Sequence, residues 1–355
     1  MSDDSIERRT YEVVVVGGGP AGMTAGLYAT RLGHSTAVVG RGGGRAAMMR
    51  DVHNLLGVTE DTSGNEYLET GREQLESYGC DVVRDFVSSV DETDDGRFRV
   101  CGADAEFVAD AVVLATGFDD ARPEPPLPRT GRGLHYCLHC DAYMFVDEPV
   151  YVMGHGDSAA TVAAIMLNFT DEVDLLTRGA EPTWSDETET MLANHPIDVV
   201  HADVTGVRNG DDGWLEALEF ADDVGPRPTG SQTESGDGSV REYKGGFAMY
   251  GSEYNNGLAT DLGCAVNDDG TVAVDDHGRT SVDGVYAVGD LTPGHNQVPV
   301  ALGEGAKAGI AIHWELREFP READEIEPAG LVRSEEVPGI PDALLEQAVE
   351  HHTYD

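Results

Sequence analysis

Cys137-Leu138-His139-Cys140-Asp141 is the segment whose residue types and spacing can do chemistry. Two cysteines separated by two residues on a turn or helix start can close a small, reducible disulfide. A helix N-terminus or a nearby cation lowers the thiol pKa and yields the thiolate that exchange requires. Asp141, next in the chain, could carry the proton for the leaving thiolate. The same two sulfurs could instead be half of a zinc site. Zinc takes four ligands, usually with a second C-x-x-C or a His pair at fixed spacing; neither is present, and only His135 and His139 could complete a cramped site. The other cysteines, Cys80, Cys101 and Cys264, stand singly in apolar or strand-like stretches and read as inert buried thiols. Five cysteines in a long chain without a signal peptide do not make a disulfide scaffold.

Two strand–turn–helix units bracket this segment. A β-branched apolar run over 11–16 runs into Gly17-Gly18-Gly19-Pro20-Ala21-Gly22, then into an Ala/Leu-rich helix over 23–32 and a second strand over 36–39. The pattern Gly17-x-Gly19-x-x-Gly22, between a strand and a helix, permits a tight turn and the close approach of a pyrophosphate to unpaired N–H groups. A similar unit runs through a strand over 150–153, Gly154-His155-Gly156-Asp157-Ser158-Ala159, a helix over 160–169 and a strand over 172–176. Gly17 and Gly19 are displaced from Gly154 and Gly156 by 137 positions, and Ala159 stands for Gly22. A nucleotide-binding fold is therefore repeated within the chain. One feature of the first unit is missing. The second strand ends in Val39-Gly40-Arg41, without the Asp or Glu that usually binds the ribose hydroxyls.

Between the units the pattern gives a helix over 66–78, paired strands around 82–100, and a strand over 111–114 that ends in Ala115-Thr116-Gly117. The proline-rich stretch 122–128 reads as a linker, and 224–238, rich in Gly, Ser, Thr and Pro, as a loop. A strand beyond Gly246, a turn and strand over 282–290, and a Gly/Ala-rich helix over 298–318 follow. The tail is acidic, with a short helix expected over 342–351. His53, His295 and His313 read as structural.

The chain carries 23 basic against 66 acidic residues, a formal charge of −43, and its only lysines are Lys244 and Lys307. Such a surface repels phosphate backbones and anionic lipid, which argues against nucleic acid and membrane partners. No apolar run reaches about 18 residues, and the N-terminus lacks the apolar core of a signal peptide, so a cytoplasmic location is expected. The acids are dispersed. The composition resembles that of proteins adapted to molar salt, where charges are screened beyond about 3 Å.

Taken together, these motifs resemble the low-molecular-weight thioredoxin reductases and their thioredoxin reductase-like relatives over roughly residues 10–320. The carriers are GGGPAG, Ala115-Thr116-Gly117, the C-x-x-C-D segment, GHGDSA, Val288-Gly289-Asp290 and the stretch from Asn296-Gln297 to Gly305. The C-x-x-C just ahead of the second glycine turn is the specific part. The resemblance implies an α/β chain of two Rossmann-like (three-layer ββα) nucleotide-binding domains, the second inserted into the first. An FAD domain would take 8–118 and 247–325, an NAD(P)-binding-like domain carrying the cysteines 119–246, and the acidic tail 326–355. FAD would be held by Gly17, Gly19, Pro20, Ala21, Gly22, Asn54, Thr116, Gly117, Gly289, Asp290, Gln297 and Val298. Cys140 would face the flavin, Cys137 would attack the partner disulfide, and Asp141 would be the acid/base. Gly154, Gly156, Asp157, Ser158, Ala159 and Arg178 would meet NADPH or NADH. A homodimer acting on thioredoxin, a glutaredoxin-like protein or a low-molecular-weight disulfide is the usual pattern, and no metal is implied.

One departure bears on the electron donor. Family members that use NADPH carry a His-Arg-Arg-x-x-x-Arg cluster for the 2′-phosphate. This chain reads Thr177-Arg178-Gly179-Ala180-Glu181-Pro182-Thr183, so only Arg178 survives and Glu181 would repel a phosphate. Relatives without the cluster include dithiol oxidases, which pass electrons from a thiol through FAD to oxygen. The segments Gly43-Gly44-Arg45 and Val52-His53-Asn54-Leu55-Leu56-Gly57 lean the same way. A flavin-bound redox sensor is the third reading.

Overall fold

Val13, Val14, Val15 and Val16 are almost wholly buried, and they alternate between two cores. A strand paired on both sides and covered on both faces must be apolar at every position. The computed structural model of the chain describes residues 7–225, 239–321, 326, 330–339, 341, 344 and 345. The loop expected over 224–238 lies, from 226 onward, outside these residues, as does most of the helix expected over 342–351.

The chain begins with β1 (Glu7–Val16), α1 (Pro20–Arg31), β2 (Thr36–Val39), α2 (Gly64–Ser77), β3 (Asp81–Val83), β4 (Ser89–Glu92), β5 (Phe98–Cys101), β6 (Ala105–Leu114) and β7 (Phe118–Asp120). A reciprocal Ser63/Glu66 capping box starts α2. The second unit, residues 120–253, holds β8 (Arg129–Thr130), β9 (Gly133–His135), α3 (Leu138–Asp141), β10 (Val150–Met153), α4 (Asp157–Met166), β11 (Val173–Leu176), α5 (Asp186–Ala193), β12 (Ile197–Val200), β13 (Val204–Asn209), β14 (Leu215–Phe220), β15 (Val240–Glu242), β16 (Gly245–Ala248) and most of β17 (Ser252–Tyr254). The chain then returns to the first unit through α6 (Gly257–Asp261), β18 (Val285–Ala287) and α7 (Val298–Arg317).

In the first unit the parallel strands are ordered β3-β2-β1-β6-β18. The ten-residue β6 is the branch point of a single seven-stranded sheet: its first half runs antiparallel to β5, and Val112–Leu114 run parallel to β18. Val14, Val16, Val112 and Leu114 pack against Phe98, Val100 and Phe107 of the antiparallel layer. Val13, Val15, Ala111 and Val113 face Ala25 and Ala29 of α1 and Ala308 and Ile312 of α7. The two helices touch through backbone. A Cβ on Gly305 would lie 2.2 Å from the Ala21 carbonyl oxygen, and one on Gly309 2.7 Å from Tyr28 Cβ.

The second unit repeats this plan. Among the described residues its sheet runs β12-β11-β10-β16-β9-β8, all parallel, beside a β13-β14-β15 antiparallel sheet. Val150 and Val152 face α4, whereas Tyr151 and Met153 face Leu215, Leu218 and Phe220. Both units are thus Rossmann-like three-layer ββα folds, the second inserted into the first. The second compact unit runs from Asp120 to Glu253, and β16 pairs with β10 and β9 inside its sheet, beside the return expected at 246/247. The antiparallel sheet of the second unit is tied down by a buried ion cluster. Arg241 bridges Asp174 at 2.9 Å and Asp198 at 2.7 Å and donates to the Val224 carbonyl at 2.7 Å, while Tyr243 Oη donates to Asp174 at 2.5 Å.

Candidate active site

The first glycine turn sits where the strand order reverses, between the carboxyl ends of β1 and β6. Ligands of open α/β sheets bind at that crevice. Gly17 has φ +121°, and a Cβ there would lie 2.2 Å from the Ala115 carbonyl oxygen. A Cβ on Gly22 would lie 2.0 Å from the Gly17 carbonyl oxygen, so the turn closes only on glycine at both positions. Gly18 and Gly19, by contrast, have nothing within 4 Å of such a carbon and present open backbone. Gly19 caps α1 without a side-chain hydrogen bond, Pro20 holds the first helical position, and Ala21 follows, buried. These residues fit a dinucleotide: the helix start offers N–H groups and a positive dipole end to a pyrophosphate.

The other flavin-site candidates converge on this unit. Asn54 Nδ2 donates to Gln297 Oε1 at 2.9 Å, and Gln297 caps α7 just ahead of Val298, with no acid in the first turn. Thr116 Oγ1 donates to the Asn255 carbonyl at 2.7 Å, and Gly117 accepts from the Asn255 N–H at 2.9 Å. Asp290 faces Arg45, whose guanidinium lies 3.9 Å from its carboxylate and 4.6 Å above the Phe118 ring. The Gly289 N–H donates to Glu304 Oε2 at 2.8 Å, and burial pushes the Glu304 carboxyl pKa up, with Asp290's charge adding to the effect. Asn255 and Glu304 were not legible as supports of the motif, because each acts through a backbone group that sequence does not place.

In the second unit Cys137 and Cys140 are joined as a disulfide, Cα to Cα 5.3 Å. Cys137 stands at the N-cap of α3, and the N–H groups of Cys140 and Asp141 donate back to its carbonyl. Asp141 Oδ2 accepts from Nδ1 of buried His135, at 2.8 Å. Spacing alone suggested His135 only as a metal ligand; its place at the end of β9 turns it to Asp141 instead.

The second glycine turn repeats the first with a difference. A Cβ on Gly154 would lie 2.8 Å from the Met249 carbonyl oxygen, and Ala159 fits fully buried where the first turn demands Gly22. Asp157 and Ser158 open α4, and the Asp157 carboxylate accepts from the Ser185 N–H at 2.9 Å, ahead of α5. The Thr188 hydroxyl, which also donates to this carboxylate at 2.5 Å, and the Ser185 N–H hold the Asp157 pKa down. Gly156 is less open than Gly19, with Thr183 Oγ1 3.5 Å from its Cβ position. Arg178 does not stand in the open: its side chain is 8% exposed, its Nη2 donates to the Glu124 carbonyl at 3.1 Å, and its Nε lies 3.5 Å from Asp203.

Comparison with known proteins agrees with this geometry. The family model described as pyridine nucleotide-disulphide oxidoreductase matches residues 11–305. The thioredoxin reductase of Peptoclostridium litorale is 30% identical over 320 residues, covering 87% of this chain and 98% of its own. The solved thioredoxin reductase of Streptococcus pyogenes MGAS5005 superposes with a TM-score of 0.75 at 29% identity, covering 87% of this chain and 99% of that one. The crystal structure of HlmI gives 0.76 at 27% identity, covering 93% and 96%. Among the described residues no helix is long and apolar enough to cross a membrane.

Proposed function

The chain belongs to the pyridine nucleotide-disulphide oxidoreductase family as a flavin-dependent disulfide oxidoreductase, and from that premise we propose that Cys137 and Cys140 relay electrons between FAD and a disulfide partner. The partner is a thioredoxin- or glutaredoxin-like protein or a low-molecular-weight disulfide. The observation that carries this reading is the Cys137–Cys140 bond, closed on a helical turn with Asp141 beside it. FAD supplies a two-electron carrier when bound. Gly17, Gly19, Pro20, Ala21 and Gly22 would take its pyrophosphate, and Asn54, Thr116, Gly117, Gly289, Asp290, Gln297 and Val298 line the same unit. Cys137 is the sulfur for the partner and Cys140 the one on the flavin side, with Asp141 moving the proton between thiol and thiolate. The remaining cysteines are free, which suits a reducing compartment, and a cytoplasmic homodimer is the proposed setting.

A second reading, a dithiol oxidase that makes no use of NADPH, is favoured by one feature. Arg178, the residue left of the phosphate-gripping cluster, has a buried side chain, with Nη2 on the Glu124 carbonyl and Nε 3.5 Å from Asp203. Anaerobic titration of the purified flavoprotein in molar salt separates the two. Bleaching of the flavin by NADPH or NADH supports the reductase. Bleaching by a dithiol alone, with oxygen uptake on re-aeration, supports the oxidase. Protein that neither retains FAD nor is bleached by any of these refutes both readings.

A further inference from the structure

His135 ends β9 with its ring edge-on to Phe145 at 5.4 Å and tilted against Phe247 at 6.1 Å. The side chain is 5% exposed. Its Nδ1 lies 2.8 Å from Asp141 Oδ2, and its Nε2 is buried without a hydrogen-bond partner. A carboxylate only accepts, so it selects the tautomer with the proton on Nδ1. The elements packed against the ring present phenylalanines, from β16 and from the turn after α3. Asp141, next to Cys140, is the charged group it meets.

We propose that His135 is the positioning residue for Asp141: it fixes the carboxylate through Oδ2 and leaves Oδ1 for the proton that travels to and from the cysteine pair. The inference rests on the redox reading of that pair. In exchange with a dithiol, Asp141 accepts the proton of the attacking thiol as its sulfur bonds to one Sγ. The Cys137–Cys140 bond breaks, and Asp141 returns the proton to the departing sulfur. The second thiol repeats the transfer as it closes the dithiol's own disulfide. Two thiols are oxidised, the enzyme disulfide is reduced, and no net proton is released. A carboxylate free to swing would lose part of this transfer, since general acid–base catalysis depends on position first.

The test uses the full-length flavoprotein in molar salt, following reduction of the pair by dithiothreitol against pH by quenching and counting alkylated thiols. His135→Phe, which fills the aromatic cage without a donor, is expected to slow reduction by about tenfold or more and to change its pH dependence. His135→Asn, which restores an N–H, recovers most of the rate. Asp141→Asn is slowed comparably, and adding His135→Phe to it slows it no further. Unchanged rate and pH profile in His135→Phe, or a full second loss in the double variant, overturns the proposal. Should His135→Phe fail to fold, nitrogen-15 histidine spectra of the wild type decide the matter. An Nδ1-bound proton that shifts when the disulfide is reduced supports the role, and an Nε2–H tautomer or a signal indifferent to reduction overturns it. A wild-type disulfide inert to dithiothreitol would instead refute the redox reading itself.

Discussion

Replacing Gly22 by alanine is expected to cost the first unit its cofactor, whereas the equivalent position of the second unit already carries Ala159. The added Cβ would sit 2.0 Å from the Gly17 carbonyl oxygen, 3.0 Å from Ala115 Cβ and 3.1 Å from Val15 Cγ1. A carbon and a carbonyl oxygen rest roughly 3.3 Å apart, so the start of α1 must retreat by about 1 Å. All three obstacles are backbone or short side chains, with no flexible tip to yield. Overpacking of this kind costs about 1–3 kcal/mol. Expressed on binding, that is roughly a five- to 150-fold loss of FAD affinity, because the N–H groups proposed to meet the pyrophosphate would move with the helix. The assay is flavin fluorescence on dilution, with the thermal midpoint in parallel. Ala159→Gly, the reverse change in the second turn, should cost about 1 kcal/mol and leave FAD binding unaltered. A Gly22→Ala protein that keeps wild-type FAD affinity and thermal midpoint would refute the packing argument.

Removing Arg241 as Arg241→Met leaves the fully buried Asp174 with an uncompensated charge, and should destabilise the second unit by about 3–5 kcal/mol in denaturant titrations. Asp174→Asn in the same chain should recover part of that loss. Glu12 accepts from His34 Nδ1 at 2.9 Å, and this bond, opposed by burial, brings its pKa down to about 2. A carboxyl depressed in the folded state stabilises at neutral pH, and the contribution is lost as pH falls from about 4.5 toward about 2. Glu12→Gln should therefore flatten the acid limb of stability against pH. Burial pushes the Cys80 thiol up to about 11, and that of Cys264 upward as well. Alkylation of the native protein at pH 8 should spare both, and dithiol treatment should add label at Cys137 and Cys140. With a formal charge of −43, the thermal midpoint should rise steeply from dilute buffer to about 1 M potassium chloride; a flat response would refute the reading of the surface as a salt adaptation.

The elements that announce themselves in sequence are those fixed by local rules. The valine run of β1, the glycine turns and the Ala-rich α1 and α4 follow from period, backbone freedom and helix propensity, and they stand within a few residues of where the pattern puts them. The repeat at a fixed offset carried the double fold. Less legible were contacts made at long range. β16 reads as the start of the returning unit because nothing local shows that it pairs with β10. Arg178 reads as a phosphate ligand by position alone; its turn toward the Glu124 carbonyl depends on where the 122–126 stretch runs. His135 was visible as a histidine near cysteines, but its partner depends on the strand and helical turn that bring it to Asp141.

The backbone contact between α1 and α7 has a mechanical consequence. With no side chain at Gly305 or Gly309 to act as a cushion, the two rods bear directly on each other along their length, and neither can slide or roll without collision. Their leading ends, Gly19-Pro20 on one and Gln297-Val298 on the other, are therefore set at a fixed spacing before any cofactor arrives. A dinucleotide long enough to reach both would meet a preformed two-point grip and spend little of its binding energy on arranging it.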